Sequence, residues 1–393
     1  MTLFLFWASF CIVVYVFVLF PIMLLLRGFL MRRPYVTADN TPSISIVVAA
    51  YNEAGIIREK LDNILSLDYP RDLLEIIIAS DGSTDQTNAI VSSYAKHGIK
   101  LLALPRIGKN SALTKGCQVA TAEILVFSDA NSMFSTDALR ALMRPFADPS
   151  VGGVAGNQVY QFKEERASRS VGERIYWAYD RLLKQSQDRA GSITSATGSI
   201  YAIRRSLFTF LPPGMVDDFT ISTGVILQGY RLAFAVDAVA KEQVAESNRV
   251  EFGRKVRIIM GGLNSVMHHA ELLNPFRYGF YAVQLFSHKL LRRLIVFPLG
   301  ILLATSPFLW SDGFFYQLAT IGQFGFYGMA AIGFIFEGRR VGGGKLFSIP
   351  FYFCMVYIAA LCAVIRIIQG RRIITWETAV RESGDERSME IQA

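Results

Sequence analysis

Apolar positions without any charge fall into four long runs, residues 3–26, 294–310, 313–336 and 346–365, all toward the two ends of the chain. A helix needs about 20 apolar residues to cross the hydrocarbon core of a bilayer, so three runs are long enough and 294–310 is borderline. The first run lacks the basic start of a signal peptide. Arg27, Arg32 and Arg33 follow it where a small-residue cleavage site would stand, so it reads as a retained anchor. Between the ends the period changes. Stretches at 43–50, 74–80, 100–104, 124–128 and 151–155 are continuously rich in Ile, Val, Leu and Ala, and helix-period stretches at 53–67, 85–97, 110–120 and 136–146 separate them. Strands that are apolar on both faces, with helices between them, predict a parallel sheet covered on both sides. That is a doubly wound α/β domain with membrane helices before and after it.

Composition fits this division. With 52% hydrophobic and 18% charged residues among 393, the chain is too apolar for an ordinary soluble enzyme. Its net charge of +8 calls for no nucleic acid, because many arginines flank the apolar runs: Arg32 and Arg33, Arg292 and Arg293, Arg339 and Arg340, Arg371 and Arg372. Basic flanks mark the cytosolic side of membrane segments. They predict a multi-pass protein of the cell (inner) membrane, with its N-terminus outside and its middle domain in the cytosol. Three later crossings would then leave Arg371 and Arg372 outside, so the flanks disagree about the tail. Cys11, Cys117, Cys354 and Cys362 have no paired spacing, and neither a disulfide framework nor a zinc site is expected. The expected segments are an anchor at 1–36, a catalytic domain at 37–250, a basic and aromatic interfacial region at 251–293, a membrane bundle at 294–370 and a polar tail at 371–393.

In a doubly wound sheet, ligands bind beyond the carboxyl ends of the strands. The first run ends in Ala50-Tyr51-Asn52-Glu53, the second in Asp81-Gly82-Ser83-Thr84-Asp85, and the fourth in Asp129-Ala130-Asn131. Gly108-Lys109-Asn110 stands at a helix start between the last two. Carboxylate and amide oxygens there can hold Mg²⁺ or Mn²⁺. A lysine beside the free N–H groups of a helix N-terminus favours phosphate. Taken singly, Asp81-Gly82-Ser83 is an ordinary turn and Asp85 an ordinary helix cap. Their order along the chain is what carries weight.

That order resembles the inverting family 2 glycosyltransferases of GT-A fold, and among them the membrane-integral branch with the chitin, hyaluronan, cellulose and poly-N-acetylglucosamine synthases. The resemblance implies that Ala50, Tyr51, Asn52, Glu53 and Asp81 recognise the nucleoside of a nucleotide-sugar donor and that Lys109 supports it. It implies that Asp129 and Asn131 form the metal and ribose motif. Thr197-Gly198-Ser199 and Asp217 would bind the acceptor, Asp218 would be the general base, and Arg254 and Arg257 would face the leaving diphosphate. Three departures qualify this: Asn131 replaces the usual second Asp, Asp217-Asp218 replaces Glu-Asp, and Arg254-Lys-Val-Arg257-Ile258 lacks the Gln and Trp of the Q-x-x-R-W motif. The implied activity is transfer from a UDP-sugar to a growing β-linked polysaccharide at the cytosolic membrane face. The alternative is transfer of a single sugar to a membrane lipid. A non-catalytic nucleotide-sugar sensor is disfavoured by the intact Asp81, Asp129 and Asp218.

Overall fold

The computed structural model describes residues 1–161, 171–212, 214–243, 248–336 and 344–371. The middle of the chain folds around one eight-stranded sheet: β1 (Ile44–Ala50), β2 (Leu74–Asp81), β3 (Ile99–Leu104), β4 (Ile124–Phe127), β5 (Ser132–Phe134), β6 (Val151–Gln161), β7 (Tyr201–Arg204) and β8 (Arg231–Gln243). Their order is β3-β2-β1-β4-β7-β6-β8-β5. The first four strands pair in parallel, Ile44 standing opposite both Leu74 and Ile124. Every residue of β1 is buried, because helices cover both faces. Ile44, Ile46 and Val48 meet Ile57, Leu61 and Ile64 of the helix Ile57–Leu65. Val47 and Ala49 point the other way, toward Leu113 and Cys117 of the helix Lys109–Val119. A β-carbon at Gly116 would stand 2.6 Å from Val47 Cγ1, so only glycine lets that helix lie so close to the strand.

Past β4 the sheet differs from the uniformly parallel expectation. The stretch 151–155 does not lie beside β4. Instead β7 inserts between β4 and β6, antiparallel to both. β6 extends to Gln161 and runs parallel to β8, and β5 closes the edge antiparallel to β8. Parallel neighbours need a covering crossover between them. The long helix after β6, Val171–Ala190, is drawn away to the membrane segments, so the chain re-enters the sheet from the opposite direction.

Among the described residues, three helices are long and apolar enough to cross a membrane: Thr2–Leu30, Phe314–Ile335 and Lys345–Ile368. The borderline run 294–310 forms the second part of a broken helix, Phe280–Leu294 followed by Val296–Asp312, bent by 49°. This pair runs antiparallel along the first helix. Arg27 lies 4.3 Å over the Phe280 ring, Tyr15 Oη is 2.8 Å from Ser287 Oγ, and Phe6 packs on Leu302 and Leu309. The domain joins the bundle at several seams, two of them apolar clusters. Phe20 and Leu24 pack on Leu183 and Ala190 of Val171–Ala190. Ala359, Ala360 and Ala363 of the last helix pack on Val256, Ile259, Met260 and Leu263 of the helix Asn248–His268. Arg339, Arg340, Arg372 and the rest of the tail lie outside the described residues.

Candidate active site

The carboxyl ends of β1 and β2 form a single braced rim. Asn52 sits in the left-handed region (φ 52°) and its Oδ1 accepts from the Thr84 amide at 2.9 Å. The Glu53 amide donates to Thr87 Oγ1 at 2.8 Å, and Ala50 is buried as the last strand residue. Asp81 is fully buried. Its Oδ1 accepts from the amides of Ile107 (2.7 Å) and Gly108 (2.9 Å), and its Oδ2 pairs with Arg106. The carboxylate expected to meet the nucleoside therefore holds the turn that starts the Lys109 helix, and what it offers outward is Arg106. That guanidinium lies 3.4 Å over the ring of Tyr51. Gly82 (φ +70°) makes the arrangement possible, since a β-carbon there would meet the Arg106 backbone nitrogen at 2.8 Å.

The centre lies between β4 and two later segments. Lys109 Nζ is 2.8 Å from Asp129 Oδ1 and 3.1 Å from Asp217 Oδ2. Burial alone would depress its pKa, but the two carboxylates reverse this and raise it. Burial likewise opposes ionisation of Asp129, and Lys109 overcomes it, holding that carboxyl below the usual range. The turn Thr197-Gly198-Ser199 threads between Asp129 and Asp218. A β-carbon at Gly198 would stand 2.9 Å from Asp129 Oδ2 and 3.6 Å from Asp218 Oδ2. Thr197 Oγ1 and Ser199 Oγ are buried and meet no hydrogen-bond partner in the described protein. Such orphaned hydroxyls are costly unless a ligand satisfies them. Asp217 and Asp218 open the helix Asp217–Leu227, where the exposed N–H groups favour negative charge. Their environments differ: Asp217 is engaged by Lys109, whereas burial, then the charge of Asp217, pushes Asp218 up to about 7.

The two arginines separate as well. Arg254 is held by Glu251 at 2.8 Å and by Tyr160 Oη at 3.1 Å, and lies 3.9 Å from Glu242. Its charge is compensated by carboxylates of the protein. Arg257 is exposed, with Asp129 and Asp217 within its electrostatic reach. Asn131 is exposed too, and its Nδ2 donates to Glu242 Oε1 at 3.3 Å. Two residues the sequence reading missed complete the site. Glu242 is buried beside Asn131, and burial raises its pKa to about 7. Lys60 is buried beneath Asp129, donates to Ser128 Oγ at 2.7 Å and to the Ser132 carbonyl, and is lowered by burial to about 7. Each broke a pattern that could have been noticed: Lys60 sits on the face of Ile57, Leu61 and Ile64, and Glu242 continues the buried alternating face of Ala238 and Ala240 in β8.

Among the described residues no group of three or more His, Cys, Asp and Glu side chains could hold a metal. The residues that fit a hard cation are Asp129, whose side chain is 34% exposed, and Asn131 through its amide oxygen. Two protein oxygens, completed by diphosphate oxygens, suit Mg²⁺ or Mn²⁺ better than an all-protein cage does.

Residues 45–210 match the family described as Glycosyl transferase family 2. The chain carries a family 2 glycosyltransferase domain. Among curated relatives, the poly-beta-1,6-N-acetyl-D-glucosamine synthase of Staphylococcus aureus (strain MSSA476) is 27% identical over 258 residues, covering 64% of this chain and 60% of the relative. The synthase of the same name from Staphylococcus epidermidis is 29% identical over 240 residues, covering 59% and 56%. The chain therefore spans less than two thirds of the length of these relatives. Among solved structures, a mannosyltransferase from Pyrobaculum calidifontis in complex with GDP-Man and Mn²⁺ superposes with a TM-score of 0.69 at 22% identity, over 94% of this chain and 100% of that one. The glycosyltransferase domain has the GT-A fold, as the resemblance implied.

Proposed function

We propose that the chain is an inverting glycosyltransferase that moves a sugar from a nucleotide-sugar donor, held at Asp129, to an acceptor hydroxyl beside Asp218 on the cytosolic face of the cell membrane. The observation that carries this reading is the pair of carboxylates flanking Gly198. One is held ionised by Lys109, and the other is raised by burial and by Asp217. A carboxylate tuned close to neutrality is suited to accept a proton at working pH. The acceptor oxygen attacks the anomeric carbon as its proton passes to Asp218, and the bond to the diphosphate breaks on the opposite side. Direct displacement turns an α-linked donor into a β-linked product. Arg257 supplies positive charge where the diphosphate charge develops. A Mg²⁺ or Mn²⁺ ion on Asp129 and Asn131, when bound, would neutralise the diphosphate oxygens in the same way. The orphaned hydroxyls of Thr197 and Ser199 suit an acceptor sugar.

For the acceptor, the 27–29% identity to poly-beta-1,6-N-acetyl-D-glucosamine synthases supports a growing β-linked glycan. A second reading, single transfer to a membrane lipid, is favoured by Arg254-Lys-Val-Arg257-Ile258, which lacks the Gln and Trp associated with polymer synthases. The packing of Ala359–Ala363 on the catalytic domain supports a tail on the cytosolic side, in keeping with Arg371 and Arg372. The test is incubation of the purified chain in lipid vesicles with Mn²⁺ and radiolabelled UDP-N-acetylglucosamine, UDP-glucose or GDP-mannose. Label in a β-glycosidase-sensitive polymer supports the first reading, and label extracted with lipid supports the second. Label in neither, with any donor, contradicts the proposal.

A further inference from the structure

The turn Asp129-Ala130-Asn131, between β4 and β5, is held at both ends from beneath. Lys60 donates to Ser128 Oγ at 2.7 Å and to the Ser132 carbonyl, and its ammonium lies 4.2 Å from the centre of the Phe134 ring. A hydroxyl, a carbonyl and a ring face suffice for its three protons. Ser128 Oγ in turn lies 3.0 Å from the Ser199 carbonyl, which ties the turn to the Thr197-Gly198-Ser199 segment. With the backbone held, what stays open at the exposed Asn131 is the direction of its amide. The two ends of that amide are chemically unlike. Its oxygen can ligate a hard cation, whereas its nitrogen carries two protons and no free lone pair.

Glu242 decides between the two ends. It stands opposite Ser132 in the pairing of β5 with β8, beside the turn, and its Oε1 accepts from Asn131 Nδ2 at 3.3 Å. A carboxylate oxygen accepts and does not donate, so the nitrogen is the end held against the protein. Asn131 Oδ1 accepts no hydrogen bond among the described residues and is left to a ligand. Glu242 is itself buried and fixed. Gln158 Nε2 donates to its Oε2, and the Arg254 guanidinium lies 3.9 Å from its Oε1. Tyr160 Oη joins these two supports, at 2.9 Å from Gln158 Nε2 and 3.1 Å from Arg254. A buried carboxylate is costly unless it is paired and hydrogen-bonded, and here both conditions are met.

We propose that Glu242 is a positioning residue for the divalent cation: it turns the Asn131 amide so that Oδ1 is free for the ion that Asp129 holds. A neutral ligand aimed in advance thus makes up for the missing second carboxylate of the metal motif. The inference rests on the reading of Asp129 and Asn131 as the cation site. Hydrogen bonds that aim a metal ligand are typically worth about ten- to a hundredfold in affinity. The test is a double-mutant cycle on the full chain in mild detergent at pH 8, with UDP and in parallel with GDP, and without any sugar donor. Mn²⁺ affinity is read by electron paramagnetic resonance. Glu242→Gln should lower it by about tenfold, because the new amide can donate to Asn131 Oδ1 and turn the nitrogen outward. In Asn131→Asp both side-chain oxygens are alike and need no aiming, so adding Glu242→Gln to that background should change affinity by no more than about twofold. A purely structural role for Glu242 predicts the same loss in both backgrounds, and that result overturns the proposal, as does unchanged affinity in Glu242→Gln. Should Glu242→Gln alone unfold, Asn131→Asp and the double variant decide between them: equal affinity supports the proposal, and a tenfold loss overturns it. Asp129→Ala tests the cation site itself. It should abolish Mn²⁺ binding, and retained binding overturns that site and the proposal with it.

Discussion

Asp217 and Asp218 are adjacent in the chain and chemically unlike. The first is neutralised by Lys109 at 3.1 Å, and the second carries a pKa raised to about 7 by burial and by its neighbour. A base must be ionised to act, so turnover should fall as pH drops through about 7, with a single protonation on the acid limb of kcat; a kcat flat from pH 8 to pH 5 contradicts the assignment. Gly198 lies between the carboxylates of Asp218 and Asp129. Gly198→Ala puts a β-carbon 2.9 Å from Asp129 Oδ2, and something must shift. Nucleotide-dependent Mn²⁺ affinity should weaken in that variant while its melting temperature stays close to that of the unmodified chain, since the turn has a backbone open to alanine; Mn²⁺ titration and thermal melting check both. Asn131→Asp should remain active with tighter metal affinity. The new carboxylate would face Glu242, now 3.3 Å from Asn131 Nδ2, and a bound cation relieves that repulsion.

At the scale of elements, the hydrophobic pattern exposed the first half of the sheet. β1 to β4 are continuous apolar runs between amphipathic helices, and their carboxyl ends carry Tyr51, Asp81 and Asp129. The second half was hidden for a physical reason. β7 (Tyr201–Arg204) stands outside the strand–helix alternation of the first half, and its place is set by pairing with Ile124–Phe127 and Gly153–Ala155. Lys60 and Glu242 were hidden because their partners lie far off in sequence: Ser128 and Ser132 for one, Asn131 and Gln158 for the other. Arg254 and Arg257 were grouped by spacing, yet one turn of helix separates a guanidinium held by Glu251 from one exposed to the site. The seam behind that helix offers a test. Ala360→Phe overpacks it against Val256 and Leu263, which should cost about 1–3 kcal/mol in denaturant unfolding and lower turnover by displacing Arg257. Unchanged stability and turnover would show that the seam does not position the site.

Over the whole molecule, the long apolar helices pack directly on the glycosyltransferase domain. The first helix, the broken pair and the last helix touch the two domain helices that border the site, Val171–Ala190 and Asn248–His268. The carboxylates that would do chemistry nevertheless all come from the domain, so the central claim can be tested there without disturbing the bundle. The most direct measurement compares Asp218→Asn with Asp217→Asn in the full chain in lipid, reading turnover and nucleotide affinity for each. Asp218→Asn keeps the side-chain shape and removes the proton acceptor. Its transfer rate should fall by ~10²-fold or more, with nucleotide affinity retained. Asp217→Asn should cost less, because it loosens Lys109 and leaves the base in place. Near-normal transfer by Asp218→Asn, or equal losses in both variants accompanied by equal loss of stability, would contradict the account.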